Sequence, residues 1–278
     1  MKKIIVPLDF SETSLCALKT GISIANKLSA ELRIIYVGNK EKLAKGFEIL
    51  GNKETSEVQQ LLDNLLLENR QSYYVKGGKM DYKIRTGIVA DEIIGQAKYD
   101  DAVMIVMGSH GVSGITKSWI GGNAYRVICN APCPVLVIRP DMVYDSNFSR
   151  IAVPIEIGKA SRYKVPVVGG ICKLFGSKAT LIGIRRSGIA SILTRITSSI
   201  SQVEKYLTSY GIEVEKTTLI SGSNANEQFL EAVQCMDADM VTLDVTSVGS
   251  FFLTRFQSFL ISLVNNSKCP VLAIPIKA

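Results

Sequence analysis

KKIIVPLDFSETS (residues 2–14) and RIAVPIEIGKAS (residues 150–161) are two versions of one phrase. Val6-Pro7 falls on Val153-Pro154, and Asp9 falls on Glu156. The ends of the two copies agree as well: NAPCPVLVIRP (130–140) matches NSKCPVLAIPI (266–276). Repetition of the same elements in the same order marks an internal duplication. It predicts two domains, residues 1–140 and 149–278, joined by the polar stretch DMVYDSNFS (141–149).

Each copy alternates short apolar runs with amphipathic segments. IIVPL (4–8) has the length and composition of a buried strand. Leu15, Leu18, Ile22, Ala25 and Leu28 then recur every three or four residues, which is one face of a helix, and Ser11 is placed to cap it. LRIIYV (32–37) is the next strand, a helix follows on Val58, Leu61, Leu62, Leu65 and Leu66, and DYKIRTG (81–87) is a third strand. AVMIVM and VLVIRP complete the first set, each preceded by a helical segment. The second copy runs IAVPI, a weaker helix disturbed by Pro166 and Gly169-Gly170, ATLIGI, a helix on Ile189, Ile192, Ile196, Ile200, Val203 and Leu207, then VEKTTLI, EQFLEAV, MVTLDV, FQSFLISLV and VLAIPI. Strands apolar on both faces and joined by helices mean an α/β fold, a parallel sheet covered on both sides. Open sheets of this kind bind ligands beyond the carboxyl ends of the strands, where the strand order reverses. Function is therefore expected after IIVPL and after AVMIVM.

Composition narrows the class. Of 278 residues, 47% are hydrophobic and 21% charged, as in soluble globular chains. No apolar run approaches the ~20 residues needed to span a bilayer. MKKIIVPLDF reaches Pro7 and Asp9 too early for a signal peptide, so a cytoplasmic location is expected and no membrane partner. The net charge is +7, but no basic run is interleaved with aromatics, which argues against nucleic acid. The six cysteines form no C-x-x-C pair and are expected to be reduced and buried. A single histidine, His110, excludes a multi-histidine metal site.

After AVMIVM comes GSHGVSGITKSWIGG (108–122), with five glycines in fifteen residues. A glycine loop between strand and helix lets backbone N–H groups close on an anion, and the helix adds its positive N-terminal end. A tight turn would need glycines too, and their number alone leaves both readings open. Two familiar phosphate motifs fail. Gly111, Lys117 and Ser118 nearly meet the P-loop pattern, but Thr116 stands where the second glycine belongs, and G-x-G-x-x-G is absent.

A third pattern fits. Gly108-Ser109-His110-Gly111, nine residues, then Gly121 follow Met107, with Pro7 and Asp9 after the first strand, Val37 ending the second and Gly87 ending the third. Together with NAPCPVLVIRP, these residues make the chain resemble the universal stress protein family in its tandem two-domain form. The resemblance covers nearly the whole chain. It implies two doubly wound parallel-sheet domains, Rossmann-like and adenine nucleotide alpha hydrolase-like, packed as a pseudo-dimer through VLVIRP and VLAIPI.

It also implies an adenine nucleotide, ATP with Mg²⁺, in the first copy. By resemblance, Asp9 faces the adenine and ribose, Pro7 shapes the loop beside it, and Val37 lines the adenine pocket. Met107 and Gly108 sit near the ribose, and backbone amides around Gly111, Gly121, Gly122 and Asn123 hold the phosphates. The family motif has Ser or Thr where this chain has Gly122, which removes one hydroxyl donor, with Asn123 as the nearest substitute. His110 is expected as an exposed loop residue.

The second copy has lost the pattern. Asp244 stands for Gly108, Ser247 for Gly111 and Gln257 for Gly121, so a carboxylate and side chains are expected to keep phosphate out. The aromatic FFLTRFQSFL is expected either in the core or against a partner. The role implied is stress sensing or signalling, with slow ATP hydrolysis as the most enzymatic outcome. The alternative is a nucleotide-independent scaffold that binds protein partners through the same fold. Assembly into a homo-oligomer is not encoded in any motif.

Overall fold

A computed structural model of the chain describes residues 1–38, 51–111, 120–142, 144, 146–157, 163–186, 190–216, 220–222, 224–246 and 253–276. The first copy folds as β1 (Lys3–Pro7), α1 (Glu12–Leu28), β2 (Glu31–Gly38), α2 (Gly51–Glu68), β3 (Met80–Thr86), α3 (Val89–Tyr99), β4 (Met104–Gly108), α4 (Gly122–Asn130) and β5 (Val135–Ile138). The second folds as β6 (Arg150–Ile155), α5 (Val165–Phe175), β7 (Lys178–Arg185), α6 (Ala190–Ser209), β8 (Val214–Lys216), β9 (Ile220–Ser221), α7 (Ala225–Cys235), β10 (Met240–Thr246), α8 (Leu253–Asn266) and β11 (Val271–Ile276).

The strands form one sheet in the order β3-β2-β1-β4-β5-β11-β10-β6-β7-β8, with β9 also pairing β7. Within each copy all pairs are parallel. The copies meet where β5 and β11 run antiparallel, with Leu136 opposite Leu272. The expected pairing of VLVIRP with VLAIPI is therefore present, and it removes two sheet edges that would otherwise lie open. Arg139, just past β5, strengthens the seam. Its buried guanidinium donates to the carbonyls of Val264 (2.6 Å) and Ser267 (2.8 Å) at the end of α8, and Asp141 accepts from its other face. A cation here answers both the orphan carbonyls and the negative end of the helix.

The central strands have no solvent face. Ile4, Ile5 and Val6 are consecutive and each is 0% exposed. Side chains alternate across a strand, so this burial needs a helical layer on both sides. On one side α3, α4, α7 and α8 cover Ile5, Ile105, Val241 and Ala273; on the other α1, α2, α5 and α6 cover Ile4, Val6, Leu136 and Leu272. Both layers run continuously across the two copies. α1 starts as expected: Ser11 accepts from the Ser14 N–H, and Leu18, Ile22 and Ala25 are buried.

Several expectations change. Pro166 starts α5 rather than disturbing it, because a proline at the first helical positions removes only an N–H that would be unpaired anyway. Gly169 lies under Tyr206 and Leu207 of α6, so the glycine is a packing position. The polar linker is anchored by two rings: Phe148 is 0% exposed, stacked on Tyr144 at 5.8 Å and edge-on to Phe175 at 5.1 Å. Leu61 points to solvent while Leu62 takes the core position of α2. VEKTTLI divides into β8 and β9. Of the cysteines, Cys129, Cys133, Cys172 and Cys269 are buried, but Cys16 is half-buried and Cys235 exposed. Burial pushes Cys172 up to about 12 and Cys269 up to about 11, which leaves both as thiols. Ile189, Ser247 and the middle of the glycine loop (112–119) lie outside the described residues.

Candidate functional site

The strand order reverses between β1 and β4. β1 leads into α1 on one side of the sheet, and β4 leads into α4 on the other. The β1–β4 ladder holds only Ile4 with Met104 and Ile5 with Ile105. Pro7 has no N–H for a neighbour on that side, and Leu8 instead bonds Ile35 of β2 (2.8 Å). Beyond Ile5 the strands part, and a cleft opens at their carboxyl ends. All nine residues singled out from the sequence line it.

Its inner wall is apolar, built by Ile35, Val37, Val89, Ile93 and Met107. Asp9 enters from the β1–α1 loop. Its Oδ1 accepts from the Ser11 N–H (3.1 Å) and from the Ser11 hydroxyl. Thr13, in the first turn of α1, donates to the His110 carbonyl. The Thr13 bond ties the start of α1 to the loop after β4. Sequence reading missed Thr13 because its partner is 97 residues away.

The glycines explain how closely these loops meet. A Cβ on Gly108 would stand 2.9 Å from the Thr13 side chain and 3.0 Å from its backbone carbon. One on Gly111 would run into Asp9 Oδ2. Gly121 differs from expectation. Its N–H donates to the Ser109 carbonyl (2.9 Å), so it closes the loop instead of offering that amide to a ligand. Gly121 is the N-cap of α4 and supplies no side-chain cap. The N–H groups of Gly122, Asn123 and Ala124, in the first turn of that helix, are the donors at the cleft. Ala124 is a lining residue that the sequence pattern did not mark. A Cβ on Gly122 would meet nothing within 4 Å. His110 is half-buried rather than exposed; its Nδ1 lies 2.7 Å from Ser109 Oγ, and its Nε2 is buried with no hydrogen-bond partner among the described residues.

An uncapped helix end, a flat apolar wall and one carboxylate suit a ligand with anionic, aromatic and hydroxyl parts. Among the described residues no three metal-ligating side chains cluster, and no helix is long and apolar enough to cross a membrane. A sequence profile of the universal stress protein family matches residues 1–139, half of the chain. The chain belongs to this family.

The universal stress protein MJ0531 of Methanocaldococcus jannaschii is 38% identical over 146 residues, 50% of this chain and 82% of that protein. MJ0577 of the same organism is 31% identical over 153 residues, 50% of this chain and 94% of the relative. These relatives correspond to one copy of the duplicated universal stress protein described here. The crystal structure of a universal stress protein from Archaeoglobus fulgidus superposes with a TM-score of 0.77, covers 98% of both chains and is 22% identical, so the fold of the whole tandem chain recurs there.

In the second universal stress repeat the matching place is filled. Asp244 does not stand as a bare repelling charge. Lys164, 0% exposed, sends Nζ to Asp244 Oδ1 and to the Pro154 carbonyl, 2.6 Å each. Arg186 bonds Glu156 (2.8 Å) and Asn226 (2.7 Å) and lies 5.0 Å over the ring of Phe259, a residue within α8 that matches Asn123 in the sequence repeat. Phe259 is buried against Phe229, so this part of FFLTRFQSFL belongs to the core. Internal charges and a ring occupy what is a cleft in the first repeat.

Proposed function

We propose that the first repeat, residues 1–140, binds an adenine nucleotide as a sensing or signalling element, with ATP carrying Mg²⁺ as the ligand. The single observation that carries this is the uncapped amino end of α4 facing a cleft with an apolar wall. The residues fit the parts of the ligand. Val37 meets the purine, Met107 lies near the ribose, Asp9 accepts from ribose hydroxyls or the adenine amine, and the amides of Gly122 and Asn123 meet phosphate oxygens. Magnesium would arrive on the phosphates, the usual mode for a cation that dehydrates reluctantly. The second repeat, residues 149–278, acts as scaffold, since Lys164, Arg186 and Phe259 fill the equivalent space. The same filling favours the second reading, a nucleotide-independent scaffold for protein partners.

Calorimetric titration with Mg-ATP separates the two, with Gly122→Asp as control. Gly122 has open space around it, so the variant folds, and an acid in the first helical turn suits the helix. It also sets a negative charge among the phosphate donors. Binding near one per chain that this variant abolishes supports the nucleotide reading. Absence of binding at millimolar Mg-ATP supports the scaffold. Phosphate release by wild type above the Gly122→Asp level would add slow hydrolysis.

A further inference from the structure

Little in the sequence of α4 makes it a helix. It has nine residues, GNAYRVICN, of which only Ala124 and Arg126 are strong helix formers. Its N-cap, Gly121, has no side chain to offer, no acid stands in its first turn and no base in its last. Isolated helices shorter than about 12–15 residues are marginal even when rich in alanine. Tertiary packing therefore keeps α4 helical. Ala124, Val127, Ile128 and Cys129 supply the buried face, each at most 7% exposed. The support for that face is shared between the repeats. In the first repeat α4 lies beside α3, but the strands it packs on most extensively are β11 and β10 of the second. Its buried residues form one apolar layer with Val241 of β10 and with Val271 and Ala273 of β11. Ala273 is the smallest side chain in β11 and is 1% exposed; the first repeat has Val137 at the matching position.

We propose that the second repeat completes the site of the first: β10 and β11 seat α4, and Ala273 is a positioning residue that sets how the start of α4 meets the ligand. This rests on the nucleotide reading given above. It gives the second repeat a part in binding although its own cleft is filled. The helix is the one element that both lines the cleft, through Gly122, Asn123 and Ala124, and rests on the other repeat. A ligand that holds the first turn of α4 therefore also favours its docking on β10 and β11, and the docking favours the ligand by the same factor. Leu272, the neighbour of Ala273 in β11, belongs to the opposite apolar layer and has no part in this seat.

The test compares full-length wild type, Ala273→Leu and Leu272→Ala by calorimetric titration with Mg-ATP and, separately, with adenosine, which has the base and sugar but no phosphate. Urea midpoints are measured on the same samples. Ala273→Leu overpacks the layer beneath α4, and Leu272→Ala leaves a cavity in the opposite layer of the same strand, so both midpoints fall. Ala273→Leu is expected to weaken Mg-ATP roughly tenfold, within the usual range of coupling between sites, and to leave adenosine within twofold. Leu272→Ala is expected to leave both ligands within twofold, however far its midpoint falls. Unchanged Mg-ATP affinity in Ala273→Leu overturns the proposal. So does an equal loss in Leu272→Ala, or an equal loss for adenosine, because affinity would then follow general stability and not the seat of α4. If wild type binds no adenosine, the Leu272→Ala comparison alone decides. If wild type binds no Mg-ATP, the nucleotide reading falls and takes this one with it; if wild type binds and Ala273→Leu is indifferent, only this one falls. Should Ala273→Leu fail to fold, Ala273→Val, which carries the side chain of Val137, takes its place, with a loss of about threefold expected and the same results overturning the proposal.

Discussion

At the scale of single residues, the two glycines at the ends of the loop do opposite work. Gly108 is there because Thr13 is too close for a side chain, and Thr13 is itself pinned to the His110 carbonyl. Gly108→Ala forces a Cβ against backbone, and overpacking of this kind costs about 1–3 kcal/mol. Its urea midpoint is expected to fall accordingly, and an unchanged midpoint would mean the loops are free to separate. Gly122 has no such neighbour. Gly122→Ser restores the hydroxyl of the family pattern at the first helical residue without a clash. A hydroxyl bond to a charged oxygen is worth ~1.5–3 kcal/mol, so Mg-ATP should bind at least ~10-fold more tightly with no loss of thermal stability. Titration and melting of the same sample check both halves of that statement. Equal affinity would place the phosphates away from the α4 terminus.

At the scale of elements, β6, α5 and β10 show what became of the second site. Lys164 stands at the N-cap of α5 and is clamped to β6 through the Pro154 carbonyl and to the end of β10 through Asp244. Removing one partner of a buried ion pair leaves the other uncompensated, at about 3–5 kcal/mol, while replacing both by apolar groups is often close to neutral. Lys164→Met is therefore expected to destabilise strongly, and Lys164→Met with Asp244→Val to recover most of the loss in chemical unfolding. Additive losses would show that the pair is not coupled. The elements themselves were largely legible, because burial imposes a period: Leu18, Ile22 and Ala25 announce α1, and Ile196, Val203 and Leu207 announce α6. The cleft was legible at the strand ends through Pro7, Asp9 and the glycines. The bonds across it were not. Lys164 in KVPVVGG reads as a solvated lysine, since its partner is 80 residues away and only the sheet order brings them together. Gly121 reads as a ligand amide until its bond to the Ser109 carbonyl is seen. Phe148 reads as linker until its ring is found at 0% exposure.

At the scale of the molecule, one sheet runs through both repeats, so a clamp on its outer strands bears on the whole. Arg33 of β2 bonds Asp81 of β3 (2.7 Å) and Asp100 at the end of α3 (2.6 Å), and Lys3 of β1 also reaches Asp100 (3.4 Å). Burial acts to raise the Asp81 carboxyl, but the bonds and charges of Arg33 and Lys79 outweigh it and hold it below the usual carboxylate range. Burial likewise acts to raise Asp100, and bonds from Gln96 and Arg33 with the charges of Arg33 and Lys3 bring it below that range. A carboxyl whose folded value is depressed adds stability that is complete above its unfolded value, ~3.9, and is lost as the pH falls through the folded value. Wild type should therefore lose stability steeply below about pH 4. Arg33→Met removes the partner shared by both carboxylates and should cost about 3 kcal/mol at pH 7. Its deficit relative to wild type should then shrink as both proteins are taken below pH 4, because the protonated carboxyls no longer need the guanidinium. General acid lability does not confound this difference. The net charge of +7 rises in both proteins as carboxyls protonate, and the resulting self-repulsion largely cancels between them. Urea midpoints at pH 7, 5, 4 and 3 and constant ionic strength measure it. A deficit that stays constant over that series would show that the Arg33 cluster stabilises the sheet by packing alone, with no contribution from its charges.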